Sequence, residues 1–377
     1  MKRIVHITSV HPVWDTRILE RECRSLAGAG YHVRLIAPGA PEATYHGVNL
    51  APLHLKARGG RMGRIVSAWL GAVQNAGSEQ ADLFHLHDPE LLPVVPFLRR
   101  TGAQVVFDMH EHLPSAILSK GWIPRVARRR LSVIVSRTER LWLKNVPVVF
   151  AEKSYRRYYP GVRHSVDVLN LPLVPPEPPL RDSIPAKLIY VGAVAPSRGS
   201  NAMFAAVREL WRRGHEVRFE CVGTVRESAR DAAAALASEA PELVRFHGRL
   251  SYPDAMEIVR AGGIGLALLR PIPNYEESFP TKMFEYMAHG LPVVVSNFPL
   301  YREVVEGSGC GRCVDPQEGG EIADALDDLL CRPKEAMEMG GRGRQAVEEK
   351  YRWDVEAEKL LTFYDQVLNG RSVATEG

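Results

Sequence analysis

The segment ESFPTKMFEYMAHGLPVVVS, Glu277 to Ser296, decides the reading of this chain. Two carboxylates, Glu277 and Glu285, flank the expected start of a short helix, with Pro280 suited to its first turn and Lys282 between them. Gly290 is placed to end that helix in a left-handed turn, Pro292 prevents its continuation, and the Val293–Val295 run reads as a buried strand. A helix N-terminus directs unpaired N–H groups at whatever faces it and so favours an anion such as a phosphate. Carboxylates beside it suit a different task, accepting hydrogen bonds from the hydroxyls of a sugar or ribose. One element thus carries contacts for both halves of a nucleotide-sugar.

Outward from this segment, short apolar runs alternate with helical ones. In the N-terminal half, Ile4–Val10, His32–Ala37, Leu83–Leu86, Gln104–Asp108, Val146–Ala151 and Val166–Leu169 read as strands, and Asp15–Ala29 has helical periodicity. The pattern restarts with strands at Leu188–Gly192, Val217–Gly223, Val244–Gly248 and Ile264–Leu269. Helices are expected at Ser200–Arg213, Ala229–Ala240, Glu318–Leu330 and Glu335–Lys350. Between the halves lie Pro172, Pro175, Pro176, Pro178, Pro179 and Pro185, a density that makes a stiff connector. Continuously apolar strands separated by helices indicate parallel sheets covered on both faces. The expected fold is therefore α/β, with two Rossmann-like domains facing a cleft. Residues 1–172 form the first domain, 173–186 the proline-rich linker and 187–352 the second. Ligands bind beyond the carboxyl ends of such strands. The last helix, Trp353 to Leu368, has an apolar face of Trp353, Leu360, Leu361, Phe363, Tyr364, Val367 and Leu368, and the tail after Gly370 is expected to be disordered.

Bulk properties exclude several classes. The chain has 377 residues, 45% hydrophobic and 24% charged, as expected of a globular protein with two cores. A net charge of +4, from 48 basic and 44 acidic residues, argues against a dedicated nucleic-acid binder. The N-terminus lacks the apolar core of a signal peptide, and no window supplies the ~20 apolar residues of a membrane span, so the expected location is cytoplasmic. Five cysteines suggest reduced thiols; Cys310 and Cys313 form a CxxC without the second ligand pair a structural metal needs. Gly28 and Gly30 close a helix rather than open one, which disfavours a dinucleotide fingerprint.

With Glu277, Phe279, Pro280, Lys282, Glu285, Gly290 and Pro292 in register, the segment resembles the donor-binding signature of family-four glycosyltransferases of the GT-B fold. The resemblance extends over nearly the whole chain. It implies a retaining, metal-independent transfer of sugar from a UDP- or GDP-linked donor to a hydroxyl acceptor, with no cofactor. It also implies a C-terminal helix that crosses back to the N-terminal domain. Among donor-side residues it implies Glu277 on sugar hydroxyls, Glu285 on the ribose diol, and Phe279, Pro280 and Thr281 at the helix start. Relatives carry Arg directly after the glycine of the first strand of the second domain and Lys about five positions later. Here Gly192 is followed by Ala193 and Arg198, so one cation is missing, and Lys282 is expected to replace it. Arg249, after the strand ending at Gly248, is expected near the base or a phosphate.

In the first domain HPVWDTRI, His11 to Ile18, resembles an N-terminal motif of a bacterial subgroup of that family, but no glycine lies between Ser9 and Ala27. Asp15 is expected to cap a helix, and Arg17 is placed to reach a phosphate or an acceptor carboxylate. His87 and Asp88 follow one strand and are acceptor-side candidates; His85 and His87 alternate on one face, where a metal reading lacks a completing ligand. Asp108, His110 and Glu111 follow another, and His110 is the candidate to contact the donor sugar. Residues 121–144 carry Arg125, Arg128, Arg129, Arg130, Arg137, Arg140 and Lys144 against one acid, Glu139, interleaved with apolar residues. A helix of this kind suits either packing on the sheet or peripheral contact with the inner, anionic membrane face. Polysaccharide, glycolipid and natural-product glycoside acceptors all fit. The alternatives are a nucleotide-sugar epimerase of the same fold and a non-catalytic membrane- or glycan-binding protein.

Overall fold

A computed structural model describes residues 1–55, 60–119, 123–177 and 182–370. Pro178, Pro179, Gly121, Trp122 and the tail after Gly370 lie outside the described residues. The chain divides into two units, Met1–Asn170 with Asp354–Gly377, and Leu171–Trp353.

The first unit is an eight-stranded sheet in the order β3-β4-β2-β1-β5-β6-β7-β8. Its strands are β1 (Arg3–Ile7), β2 (His32–Ala37), β3 (Ala43–Tyr45), β4 (Val48–Pro52), β5 (Leu83–Leu86), β6 (Gln104–Met109), β7 (Val148–Phe150) and β8 (Ser165–Asp167). All pairs are parallel except β3 with β4. That edge hairpin had no strand-like signature: β3 is three residues long, and the two-residue turn of His46 and Gly47, both at positive φ, is too tight for a periodic pattern. Order reverses between β1 and β5, so the carboxyl ends of these two strands form the switch point where Rossmann-like units bind ligands.

The stretch expected as a plain α-helix after Asp15 begins instead as a π-helix, Thr16–Cys23. Arg17 and Glu22, five residues apart, pair at 3.0 Å. An α-helix would place them about 140° apart, whereas the wider π turn brings them to one side. Asp15 caps this helix, accepting from the N–H groups of Arg17 and Ile18.

The second unit is a fully parallel six-stranded sheet in the order β11-β10-β9-β12-β13-β14, the doubly wound 3-2-1-4-5-6 arrangement. Its strands are β9 (Lys187–Val191), β10 (Arg218–Val222), β11 (Val244–Gly248), β12 (Ile264–Ala267), β13 (Val293–Ser296) and β14 (Gly311–Val314). Val293, Val294 and Val295 are fully buried, as a strand covered on both faces requires.

Four helices matter below: α1 (Arg125–Leu143), α2 (Ser200–Arg212), α3 (Thr281–Ala288) and α4 (Trp353–Leu368). The signature segment differs in detail from expectation. Pro280 precedes α3 as its N-cap, and Glu277 closes a separate short helix, Pro273–Glu276. Gly290 has φ +68°, the left-handed turn expected of it. Helix α4 packs on the first unit: its Tyr364 hydroxyl meets His85 Nδ1 at 2.5 Å, and Glu356 accepts from the Leu169 N–H at 2.8 Å. Among the described residues no helix is long and apolar enough to cross a membrane.

Candidate functional site

In the second unit the chemistry gathers at the carboxyl ends of β9 and β12, again a switch point. Strand β9 ends in Gly192 at φ +140°, and neighbouring β10 in Gly223 at φ +138°. A Cβ on Gly223 would sit 2.0 Å from the Gly192 carbonyl oxygen, so only glycine lets the two loops pass. A Cβ on Gly192 would sit 2.9 Å from Lys282 Nζ. The loop that lacks an arginine at Ala193 is therefore the loop that Lys282 of α3 faces.

Lys282 is buried, and its Nζ has no hydrogen-bond partner among the described residues. It lies 3.9 Å from the centre of the Tyr190 ring. Burial holds its pKa well below the ordinary lysine range, and Arg198 pushes the same way, against Cys221 and Glu285. Arg198 ends a short turn before α2 and hydrogen-bonds the Tyr190 phenol, whose hydroxyl donates to the Ala193 carbonyl at 2.8 Å. Tyr190 is thus the floor on which both cations stand. A second tyrosine, Tyr286, accepts from the Val191 N–H at 2.7 Å and ties α3 to β9. Neither tyrosine was singled out from the sequence; the only signal was their place beside Gly192 and Glu285.

Glu285 is buried one turn beyond Lys282 on α3 and close enough to affect its charge. Phe279 packs edge-on against Phe284 at 5.2 Å, Pro280 is buried and Thr281 opens α3. Glu277 is half-buried. Arg249 is exposed at the end of β11, two strands away from β9. The structure brings together Gly192, Arg198, Lys282 and Glu285 and leaves Arg249 at the periphery.

In the first unit, the ends of β1, β5 and β6 converge. Asp88 is buried and accepts from Thr8 Oγ1 at 2.8 Å and the Ser9 N–H at 2.7 Å. His87 is buried between His6, at 2.9 Å, and His110, at 3.1 Å. Burial brings the His87 pKa down to about 4, so the ring is neutral at pH 7. Arg17 corrects the expectation placed on it. Rather than facing a ligand, it is buried and bidentate to Asp108, at 2.9 and 3.0 Å, with a third bond to the Val168 carbonyl at 2.9 Å. Burial alone would raise the Asp108 pKa, but Arg17 and then His110 hold it well below the carboxylate range. Asp108 accepts from His110 Nε2 at 2.9 Å. On a neutral His110 ring this leaves Nδ1 as an acceptor, and His110 is the partly exposed member of the group.

These strand ends border a cavity of about 950 Å³. His11, His87, Asp88, His110 and Glu111 form its polar end; α1 and the Leu113–Ser119 helix supply apolar walls. Glu139, on α1, lines it too. Burial raises its pKa to about 7, against a hydrogen bond donated by Tyr159 at 2.5 Å.

Among the described residues, His6, Glu22, His85 and His87 gather ligand atoms within 4.8 Å, as do His87, Asp108 and His110, and His215, Asp327 and Cys331. The His6–His87, His85–Tyr364 and Arg17–Asp108 hydrogen bonds and the Arg17–Glu22 ion pair engage the first two groups, while His85 Nε2 and the Glu22 oxygens have no hydrogen-bond partner among the described residues. His87, Asp108 and His110 fit a hydrogen-bonded network.

Residues 177–346 match the family model for glycosyl transferases group 1, and residues 16–151 that for the glycosyl transferase 4-like domain. The GDP-mannose-dependent alpha-(1-6)-phosphatidylinositol monomannoside mannosyltransferase of Mycobacterium tuberculosis is 27% identical over 47% of this chain and 46% of its own. The chain spans less than half the length of the curated relatives it matches. Among solved structures, sucrose-phosphate synthase from Thermosynechococcus elongatus superposes with a TM-score of 0.76 at 19% identity, over 98% of this chain and 100% of that one. Anabaena Alr3699/HepE in complex with UDP-glucose does so at 0.67 and 12%, over 97% and 100%.

Proposed function

The chain belongs to the glycosyltransferases of family-four type with the GT-B fold, and we propose that it moves a sugar from a nucleoside diphosphate-sugar to a hydroxyl acceptor with retention of configuration. The observation that carries this reading is Lys282. A buried amine without an acceptor costs roughly 1–3 kcal/mol, and this one, which no group among the described residues hydrogen-bonds, stands beside the Gly192 loop and the Tyr190 ring, with Arg198, Cys221 and Glu285 near enough to act on its charge. A diphosphate supplies the missing acceptor.

In this reading the glycosidic bond to the diphosphate loosens first, leaving positive charge on the sugar ring and negative charge on the leaving phosphate. Lys282, Arg198 and the N-terminus of α3 meet that negative charge, and they are fixed before it develops, where electrostatic stabilisation is most effective. Glu285 holds the ribose diol and Glu277 the sugar hydroxyls. His110, oriented by Asp108, accepts a hydroxyl of the sugar through Nδ1. The mechanism proceeds without a metal, the two cations replacing one at the diphosphate. Relatives include both a GDP-mannose-dependent enzyme and a protein solved with UDP-glucose, so either base suits the site. Peripheral contact of α1 with an anionic membrane face belongs to the same reading.

Thermal-shift titration with UDP, GDP and their sugars, followed by assay of donor hydrolysis, tests it. One nucleotide should stabilise the protein, and Glu285→Ala should remove that effect. Epimerised donor without transfer, or stabilisation by no nucleotide, overturns the reading.

A further inference from the structure

The cavity in the first unit is more than a place for a sugar. At about 950 Å³ it stands near the top of the range for small-molecule pockets, roughly 300–1,000 Å³. Its lining is polar where the ends of β5 and β6 reach it and at Arg64, Thr138 and Glu139. Elsewhere Phe107, Met109, Ile117, Leu131, Val135 and Trp142 make a hydrocarbon wall. A glycan pressed against such a wall would lose water from its hydroxyls and gain no partners.

Helix α1 has two faces. Leu131, Val135, Thr138, Glu139 and Trp142, spaced by three and four, roof the cavity. On the opposite side Val126, Val133, Ile134 and Leu141 are 86%, 50%, 60% and 76% exposed. Exposed Arg129, Arg130, Arg137, Arg140 and Lys144 stand among them. Exposed apolar residues mixed with cations on one helix face match an anionic bilayer surface.

We propose that the acceptor is a membrane lipid bearing a hydroxylated head: the head lies beside His110, the hydrocarbon fills the cavity beneath α1, and the outer face of α1 rests on the bilayer from which the lipid is drawn. The proposal rests on the transferase reading and names its acceptor class. One helix then serves as both dock and roof.

The experiment uses the full chain with a dansyl-labelled undecanoic acid as fluorescent probe, displaced by n-alkyl glucosides from butyl to dodecyl below their micelle concentrations. Each added methylene should tighten binding about four-fold until the cavity is full. Val135→Trp and Ile117→Trp should weaken the probe at least ten-fold and leave nucleotide affinity unchanged. Val133→Asp with Ile134→Asp should abolish co-sedimentation with phosphatidylglycerol vesicles while the probe still binds. Affinity independent of chain length in the unaltered protein overturns the proposal, as does probe binding insensitive to folded Val135→Trp. Vesicle binding untouched by the outer-face pair removes the bilayer dock and overturns it too. If these fail while UDP or GDP still stabilises the protein, the transferase reading stands; if no nucleotide binds, that reading falls first.

Discussion

The Nζ of Lys282 lies 3.9 Å from the centre of the Tyr190 ring, buried and without a hydrogen-bond acceptor among the described residues. Its pKa is held far below that of a free lysine, chiefly by burial. The folded protein therefore binds this proton less readily than the unfolded chain. The resulting cost to stability is present below the unfolded lysine pKa and fades as pH rises above the lowered folded value. Lys282→Met should raise the melting temperature at pH 7 by a few degrees, and the gain should shrink toward pH 10. Calorimetry across that range checks it.

A diphosphate arriving beside this amine favours its charged form. Binding of UDP or GDP should therefore take up a proton at pH values above the lowered folded pKa of Lys282, detected as a dependence of calorimetric enthalpy on the ionisation enthalpy of the buffer. In Lys282→Met the uptake should vanish. Equal uptake in both proteins would place the proton elsewhere.

Arg17 and Asp108 form a buried pair, so removing one partner strands the other. Asp108→Asn should cost about 3–5 kcal/mol, measured by urea unfolding. Joining it to Arg17→Met should return part of that loss. Because the folded Asp108 pKa lies below the unfolded one, the pair's contribution is present above about pH 4 and lost as pH falls through the folded value.

His110→Ala should lower kcat roughly 10- to 150-fold, the worth of one hydrogen bond to a charged or developing-charge centre, with nucleotide affinity unchanged. A parallel loss of nucleotide affinity would show that His110 acts on the fold of the site instead.

Glu139 keeps its proton to about pH 7 through burial. Its folded pKa exceeds the unfolded one, so stability should fall as pH rises from about 4.5 to 7 and then level. Glu139→Gln should flatten that part of the profile in thermal denaturation.

Much of this was legible before any coordinates. Continuous apolar runs located β2, β5 and β11 to the residue, and the turn at Gly290 followed from its glycine and the proline after it. That Lys282 would stand beside the loop of Gly192 and Ala193 was legible too, since a deficit in one loop pointed to the nearest cation in the signature. What failed were contacts between distant residues. Arg17 reads as a surface cation until Asp108, 91 positions away, is seen to take it inward. Tyr190 reads as an ordinary strand residue, because only the folded loop sets its ring beneath an amine. The cavity under α1 has no sequence signature, being a space between elements rather than a property of one.

The most direct test is the calorimetric affinity of whichever of UDP and GDP binds the unaltered protein, compared with Lys282→Met. A loss of roughly 10- to 150-fold, in a variant at least as stable as the parent, is the predicted result. Undiminished affinity would mean that the buried amine across from Gly192 does not hold the diphosphate.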